Sequence, residues 1–561
     1  MAKKKDEEKK ALSRREFLKD TGMVVGGAAL TMGALSLAGC ASPEAETTTV
    51  TTTKTETATP WLPSKWDYEA DVVVVGYGAA GSMAAIEAHD AGADVIILEK
   101  MAEGFEGGSM GCCGGLVGVK GLLGTPSLVG FTQDDVRALT WGEADSVTIQ
   151  KYLDGLDELQ DWFDSIGLVT NIIDGPPYGK SARIQPEPGW LNGGHTWFMA
   201  VKSQVTQRGI RVMYETPGKK LIQDPVTKEI LGVIAEKNGQ QIAVKAKKGV
   251  ILATGTYVSN PKMVHDWIAP GVDIASVSSP ANTGDGLKMA MEAGAYVAPG
   301  GVMNPEWHSY SFKVPSKLYN TAVVSEFKAN SYIFVDKYAH RFTDEKKMLT
   351  HDKRPQDALY FDGAWNNLPE KCEYTHIPFF VIFDEATKEA GRIATAPTSW
   401  GWRTTYGIYE WSADNNAEIS KGWVVKADTI QELATKISGT DWWGKVWNVD
   451  PAGLQDLINK YNGYCRAGND PDFNRSGSTL VPIETPPYYA AELCCTLIYN
   501  ICGLMHNAKA QTLDQNGKPI PRLYHAGDVG QFQRNKPQGV AGAMVFGRIA
   551  ALDAAAATPW G

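Results

Sequence analysis

The 561-residue chain is poor in the residues that would tie it to haem or metal chemistry. It holds eight cysteines, with no CxxCH for a c-type haem and no CxxC pair of the kind that seeds zinc or iron-sulfur sites, so no metal site is expected. Vicinal Cys112-Cys113 and Cys494-Cys495 read as small packing residues rather than redox pairs. Positive charge is scarce: 54 Lys and Arg stand against 64 Asp and Glu. Without residues 1–39 the balance is 46 against 59, a net charge near −13. No nucleic-acid partner is expected of such a surface. After residue 39 no apolar run reaches the ~20 residues of a membrane span.

One stretch carries several consistent signals for a single ligand. Asp71 to Lys100, DVVVVGYGAAGSMAAIEAHDAGADVIILEK, reads as a βαβ unit with an apolar strand over 72–75, a helical pattern to about 91 and a second strand over 93–98. In Gly76-Tyr77-Gly78-Ala79-Ala80-Gly81 the first glycine suits the tight turn, the second lets a pyrophosphate approach the backbone, and the third lets helix pack on strand. Ala79 and Ala80 open the helix, whose N-terminus faces the phosphates. Glu99, 23 residues after Gly76 and followed by Lys100, is placed to accept hydrogen bonds from ribose hydroxyls. Strand, helix and acid agree on a dinucleotide.

The first 60 residues read as address and tether. Ser13-Arg14-Arg15-Glu16-Phe17-Leu18-Lys19 before a Gly/Ala-rich stretch has the pattern of a twin-arginine export signal. Leu37-Ala38-Gly39-Cys40 has the form of a lipobox, so 1–39 is expected to be removed and Cys40 lipidated. Residues 42–60 hold nine threonines and one large apolar residue, Val50, which suits a flexible linker over 40–65.

Glu106 to Gly115, EGGSMGCCGG, is a second glycine-rich run. Backbone amides at Gly107, Gly108, Gly114 and Gly115 could reach a pyrophosphate and the isoalloxazine edge of a flavin, and Ser109 could donate to it. Further on come Gly249-Val250-Ile251-Leu252-Ala253-Thr254-Gly255, then Asn260-Pro261, then Thr283-Gly284-Asp285-Gly286. With GYGAAG and Glu99-Lys100, this order resembles the fumarate reductase/flavocytochrome c/urocanate reductase/3-ketosteroid dehydrogenase class of FAD proteins. The resemblance resumes at Pro486-Pro487-Tyr488-Tyr489-Ala490, Cys502-Gly503-Leu504, Tyr524-His525-Ala526-Gly527-Asp528 and Phe546-Gly547-Arg548. Asp528 stands where the family usually has a glutamate that holds the ribityl chain.

The resemblance implies an α/β fold: a Rossmann-like FAD-binding domain made from both ends of the chain, 66–304 and 498–561, with an α+β capping domain, 305–497, inserted between them. It adds Ala253, Thr254, Gly255, Asp285, Gly527 and Asp528 to the cofactor contacts. FAD should be noncovalent, because the attachment histidine of the membrane-bound succinate and fumarate enzymes has no counterpart in EGGSMGCCGG.

In the family, cationic donors hold the substrate carbonyl or carboxylate while hydride reaches the β-carbon. The resemblance puts Arg534 on the substrate arginine, Lys388 on the proton donor with Arg392 in reserve, and Glu345 on the relay glutamate. Tyr499, the alternative to Lys388 as proton donor, falls on one substrate histidine and His308, with a two-residue slip, on another. Burial would lower the pKa of Lys388 toward the working range. Met348 replaces the relay arginine, so a cationic set suited to a small dicarboxylate is reduced, which argues against fumarate. Trp400, Trp402, Trp411, Trp423, Trp442, Trp443 and Trp447 crowd the cap as core or as a wall for a polycyclic substrate, with Tyr406 and Tyr409 as possible donors.

The leading expectation is an exported, lipid-anchored FAD reductase of a C=C bond conjugated to a carbonyl, acting on an aryl enoate or enone in anaerobic respiration. With no second GxGxxG for a nicotinamide, electrons should come from a separate membrane cytochrome or quinol-linked protein. The alternatives are a 3-ketosteroid-type dehydrogenase introducing a C=C bond, and a lipoprotein that binds through its cap with flavin only structural.

Overall fold

The computed structural model describes residues 61–117, 145–168, 170–175, 179–184, 193–268, 272, 274–298, 304–314, 323–324, 327–348, 358, 361–362, 373–394, 409–441, 444–501, 503–530 and 539–560. The expected export signal, Cys40, most of the expected linker, Arg534, Tyr406 and four of the seven tryptophans lie outside them.

β1 (Tyr68–Val75), α1 (Ala79–Asp90) and β2 (Val95–Leu98) form the expected parallel unit, with Val72 opposite Val95 and Val75 opposite Leu98. The apolar run of β1 is continuous because both faces of the sheet are covered. Val72 and Val74 pack into the core beneath α1, while Val73 and Val75 pack into the core on the other side. α2 (Gly193–Gln207) and β3 (Arg211–Met213) follow, and β3 extends the sheet beyond β2. β4 (Gly218–Gln223) and β5 (Ile230–Lys237) make a hairpin on β6 (Gln240–Leu252), which then runs parallel to β1.

The chain next builds a second sheet from β7 (Ile274–Ser276), β8 (Asn304–Phe312), β9 (Val323–Val324), β10 (Tyr332–Asp336), β11 (Phe379–Asp384), β12 (Val425–Ala427) and β13 (Tyr488–Ile501). α3 (Asp285–Glu292) lies between β7 and β8, and α4 (Glu385–Glu389) follows β11. β14 (Gln511–Leu513) and β15 (Pro519–His525) then return to the first sheet, with Leu523 opposite Val250. The order β14-β15-β6-β1-β2-β3 joins both ends of the chain in one sheet. The expected boundary at 497/498 falls inside β13, and β7 pairs with Cys495 to Leu497, so the second sheet draws on residues from both sides of the inserted segment.

α5 (Gly539–Ala556) corrects one expectation: it is long and apolar enough to cross a membrane. Here it is a core helix instead, with Ala541, Met544, Val545, Phe546 and Ala550 buried. Two further helices start on sequences that spell a cap, Thr429-Ile430-Gln431-Glu432 with capping-box spacing and Asp450 before Pro451. Thr429 accepts from Glu432 N at 3.1 Å, although the Glu432 carboxylate bonds Asp428 N rather than closing on Thr429. Asp450 caps the Pro451–Ala467 helix at Gly453 N.

Candidate active site

The turn after β1 shows why each glycine is there. Gly76 has φ +105°, and a Cβ on it would lie 2.4 Å from the Ala253 carbonyl oxygen. On Gly81 a Cβ would lie 1.9 Å from Gly76 O. Gly78 differs: its Cβ would meet nothing nearer than Gly107 O at 3.6 Å. Protein packing therefore explains Gly76 and Gly81 but leaves room at Gly78, as a closely approaching ligand requires. Helix α1 begins beside that room with no side-chain cap on its first N–H groups, at Ala79 and Ala80. Uncapped N–H groups at a helix start suit a pyrophosphate.

Glu99 ends β2 and is 6% exposed. Tyr77 N donates to its Oε2 at 2.8 Å and Met101 N to its Oε1 at 2.6 Å. Burial pushes its pKa up, against the pull of those two bonds. Each oxygen keeps a second lone pair for a ribose hydroxyl. Lys100 turns away from its neighbour to clamp the turn before α3, donating to Ala281 O at 3.0 Å, Thr283 Oγ1 at 2.5 Å and Asp285 Oδ2 at 2.8 Å. Lys100 and Asp285 thus hold each other and fix the turn against the ribose acid.

Other cofactor candidates gather around the same space. Gly107 N bonds Tyr77 O, and a Cβ on Gly108 would face Gly78 Cα at 3.9 Å. Gly115 packs backbone to backbone on Gly193, where α2 begins, with Gly114 half-buried before it. Thr254 Oγ1 is buried with no hydrogen-bond partner and lies against Gly286, and Gly255 follows it beside Asn282. Gly527 abuts Ala80 and Ala543, which brings Asp528 next to the first turn of α1. Ser109 meets Ser278 and Asn282, a contact with no sequence signal. Room at Gly78, the uncapped α1 and the buried Glu99 fit FAD: Gly78 to Gly81 would hold the pyrophosphate, Glu99 the adenosine ribose and Asp528 the ribityl chain.

The proposed proton donors separate. Tyr499 lies opposite Glu306 across β13 and β8, and His308 is two residues further along β8, so these two positions share one end of the second sheet. Val277 N bonds Leu497 O at 3.0 Å, and Ser278 then reaches Ser109, which marks this as the cofactor end. Lys388 follows Asp384, which pairs with Tyr488, eleven residues from Tyr499 along β13. At ~3.3 Å per residue that is about 36 Å of extended strand.

Local contacts also correct Lys388. Its ammonium is ion-paired to Glu389 and lies 3.7 Å from Glu385. The hydrogen bond it donates to Glu389 raises its pKa, where burial alone would have lowered it. Arg392 is paired to Glu410 at 3.1 Å. Glu345 is fully buried, with Arg341 on both oxygens at 2.8 and 2.9 Å and Arg475 at 3.1 Å. Asp470 binds the same Arg341, so Glu345 sits in a buried ionic network of two arginines and two carboxylates. Tyr409 donates to buried Glu418, Trp411 packs on Phe312 at 4.7 Å, and Trp447 lies between Lys337 and Lys445. These three aromatics serve the second sheet and its surroundings.

A glycine-turned βαβ unit with a ribose acid, completed by strands from the far end of the chain and carrying a second sheet between them, defines an FAD-binding flavoenzyme. Residues 71–539 match the family model FAD_binding_2, described as FAD binding domain. The chain belongs to this family and is an FAD-dependent oxidoreductase of fumarate reductase type. It is 26% identical to digoxin reductase of Eggerthella lenta, covering 98% of each chain. It is 28% identical to vinyl phenol reductase of Lactiplantibacillus plantarum, covering 82% of this chain and 89% of that one. An open flavocytochrome c3 fumarate reductase has the same fold, at TM-score 0.62 and 22% identity over 87% of this chain and 78% of that one.

Proposed function

We propose that the protein reduces a C=C bond conjugated to a carbonyl, carboxylate or aryl group, and that its substrate is an enone or aryl enoate rather than fumarate. Bound FAD supplies the hydride. The observation that carries the choice of substrate is the engagement of the cationic groups: Lys388 is held by Glu389, Arg392 by Glu410, and Arg341 and Arg475 by Glu345 and Asp470. Lys388, Arg341 and Arg475 are engaged by carboxylates, and Arg392 keeps donors beyond its one bond to Glu410, so the cationic set suited to a small dicarboxylate is reduced. The names of the two relatives agree with a larger or aromatic alkene, since one reduces digoxin and the other a vinyl phenol.

Tyr499 and His308, together at the cofactor end of the second sheet, are the positions from which substrate is held and a proton delivered, with Arg534 as the carbonyl-binding arginine. The chain would act outside the cytoplasm as a lipoprotein anchored through Cys40, taking electrons from a membrane cytochrome or a quinol-linked protein. The test is anaerobic reoxidation of the reduced holoprotein by fumarate, urocanate, cinnamates, vinyl phenols and steroid enones. Rapid reoxidation by an enone or aryl alkene and not by fumarate is the expected result. Fast fumarate turnover, or oxidation of saturated ketones without alkene reduction, would sink it.

A further inference from the structure

The hairpin β4–β5 and the start of β6 carry a small apolar cluster separate from the two cores of the first sheet. Ile222, Leu231 and Ala243 are buried together, and Trp66 and Trp560 pack against them. Trp66 lies over Gly232, where a Cβ would come within 2.8 Å of its ring, and meets Trp560 edge-on at 6.1 Å. Residues near both ends of the described chain therefore share one patch. Five residues before Trp66, Trp61 is 46% exposed, and Val226, in the turn between β4 and β5, is 85% exposed.

Lysines share this face. Residues paired across antiparallel strands point to the same side. Lys220 is opposite Ile234, Ile234 is opposite Ala243, and Lys245 is opposite Gly232, so Lys220 and Lys245 stand on the side of the cluster. Lys245 holds its ammonium 4.3 Å from the centre of the Trp560 ring. Residues 218–248 hold seven lysines against three carboxylates, a surplus of positive charge in a chain that is otherwise acidic. Lys65, Lys219 and Lys247 have carboxylate partners, Asp67 at 2.8 Å, Glu236 at 3.4 Å and Glu69 at 3.1 Å, but these pairs are open to solvent and hold the lysines weakly.

We propose that this face is a membrane-contact surface, laid against an anionic phospholipid bilayer. Indole rings favour the depth of the lipid headgroups, lysine stems lie along apolar surface while their ammonium groups reach the phosphates, and an anionic bilayer attracts each such charge. For the nearness of a bilayer the inference rests on the anchor at Cys40. Cys40 precedes Trp61 by 21 residues, which span at most about 70 Å, so a bilayer holding Cys40 is within reach of the face where Trp61 enters.

The test uses the FAD-loaded chain from residue 40 with Cys40→Ser, so that no lipid is attached, sedimented with phosphatidylcholine vesicles with and without phosphatidylglycerol. It should sediment with the anionic vesicles alone and be released by high salt. Lys65→Gln, Lys220→Gln and Lys245→Gln together should weaken binding about a hundredfold, roughly fivefold for each lysine. Lys421→Gln, Lys436→Gln and Lys460→Gln, the same change of charge at exposed sites elsewhere, should leave it in place. Trp61→Ala should weaken it severalfold at constant charge. Equal losses in the two triple variants, equal sedimentation with uncharged vesicles, or an unaltered Trp61→Ala overturns the inference. The mass of the native chain from its membranes tests the anchor separately: an unmodified Cys40 with vesicle binding intact strikes the anchor and leaves this face as the contact.

Discussion

At the scale of single residues, the fingerprint glycines Gly78 and Gly81 should fail in different ways. Ala at Gly78 is tolerated by the protein around it, since its nearest contact is at 3.6 Å. The methyl group would still narrow the approach of the pyrophosphate. Gly78→Ala should therefore keep the melting temperature of the apoprotein while FAD affinity falls about tenfold, ~1.4 kcal/mol. Gly81→Ala forces its methyl to 1.9 Å from Gly76 O, an overpacking worth roughly 1–3 kcal/mol. It should lower apoprotein stability and FAD binding together. Titration with FAD beside apoprotein melting separates the two. The role of Gly81 was legible in the sequence because the residue it meets, Gly76, is five positions away, whereas Gly76 itself meets Ala253. Asn282 and Arg475 were not legible, because their partners Ser109 and Glu345 are 173 and 130 residues distant and neither carries a local motif.

His506 adds a pH dependence. Burial lowers its pKa from 6.5 to about 4, and His525, 5.1 Å away ring to ring, is pushed the same way. Above pH 6.5 both states of the chain hold these rings neutral, so they do not bias folding. As pH falls from 6.5 toward 4 the unfolded chain takes up the proton and the folded one does not, so stability is lost, by about 3 kcal/mol for His506. Urea midpoints at pH 7 and pH 4.5 should show this loss in the wild type and a smaller one in His506→Gln. An equal loss in both would remove His506 as its source.

At the scale of elements, the ionic network at Glu345 shows what sequence order leaves out. Arg341-Phe342-Thr343-Asp344-Glu345 has the family's spacing, but the geometry of Glu345 is set by Arg475, in a loop after the Pro451–Ala467 helix. Arg475 is also fully buried, and its guanidinium donates to Tyr332 O, Asn330 O and Thr479 O. It joins that loop to the start of β10. Replacing it leaves a buried carboxylate short of one partner, a class of change that costs roughly 3–5 kcal/mol. Arg475→Leu should melt well below the wild type. Glu345→Gln should lose stability while the folded fraction keeps its turnover within about twofold, because no step passes through the carboxylate. A large loss of turnover at unchanged stability would restore Glu345 to the relay. Helix caps were legible in advance since Thr429 and Asp450 act within one turn. The separation of Lys388 from Tyr499 was not, being a property of strand register.

At the scale of the whole molecule, the two ends of the chain form one binding site. Gly547 in α5 lies under α1, where a Cβ would come within 2.5 Å of Ala80 O. The glycine lets the C-terminal helix approach the first turn of the helix that would hold the pyrophosphate. Ala at this position should push α5 away from α1 and weaken FAD binding, although it lies 466 residues after Gly81 in the sequence. Gly463 supplies the contrast: it sits in the Pro451–Ala467 helix with nothing within 4 Å of its would-be Cβ. Gly463→Ala should stabilise that helix by up to ~1 kcal/mol and leave FAD untouched. Thermal release of FAD, followed by the rise in flavin fluorescence, should move down in Gly547→Ala and stay in place or rise in Gly463→Ala. If Gly547→Ala held FAD as the wild type does, the closing of the cofactor site by the C-terminal helix would be wrong, and the parallel strands β1, β2 and β6 with their turns would have to hold the cofactor alone.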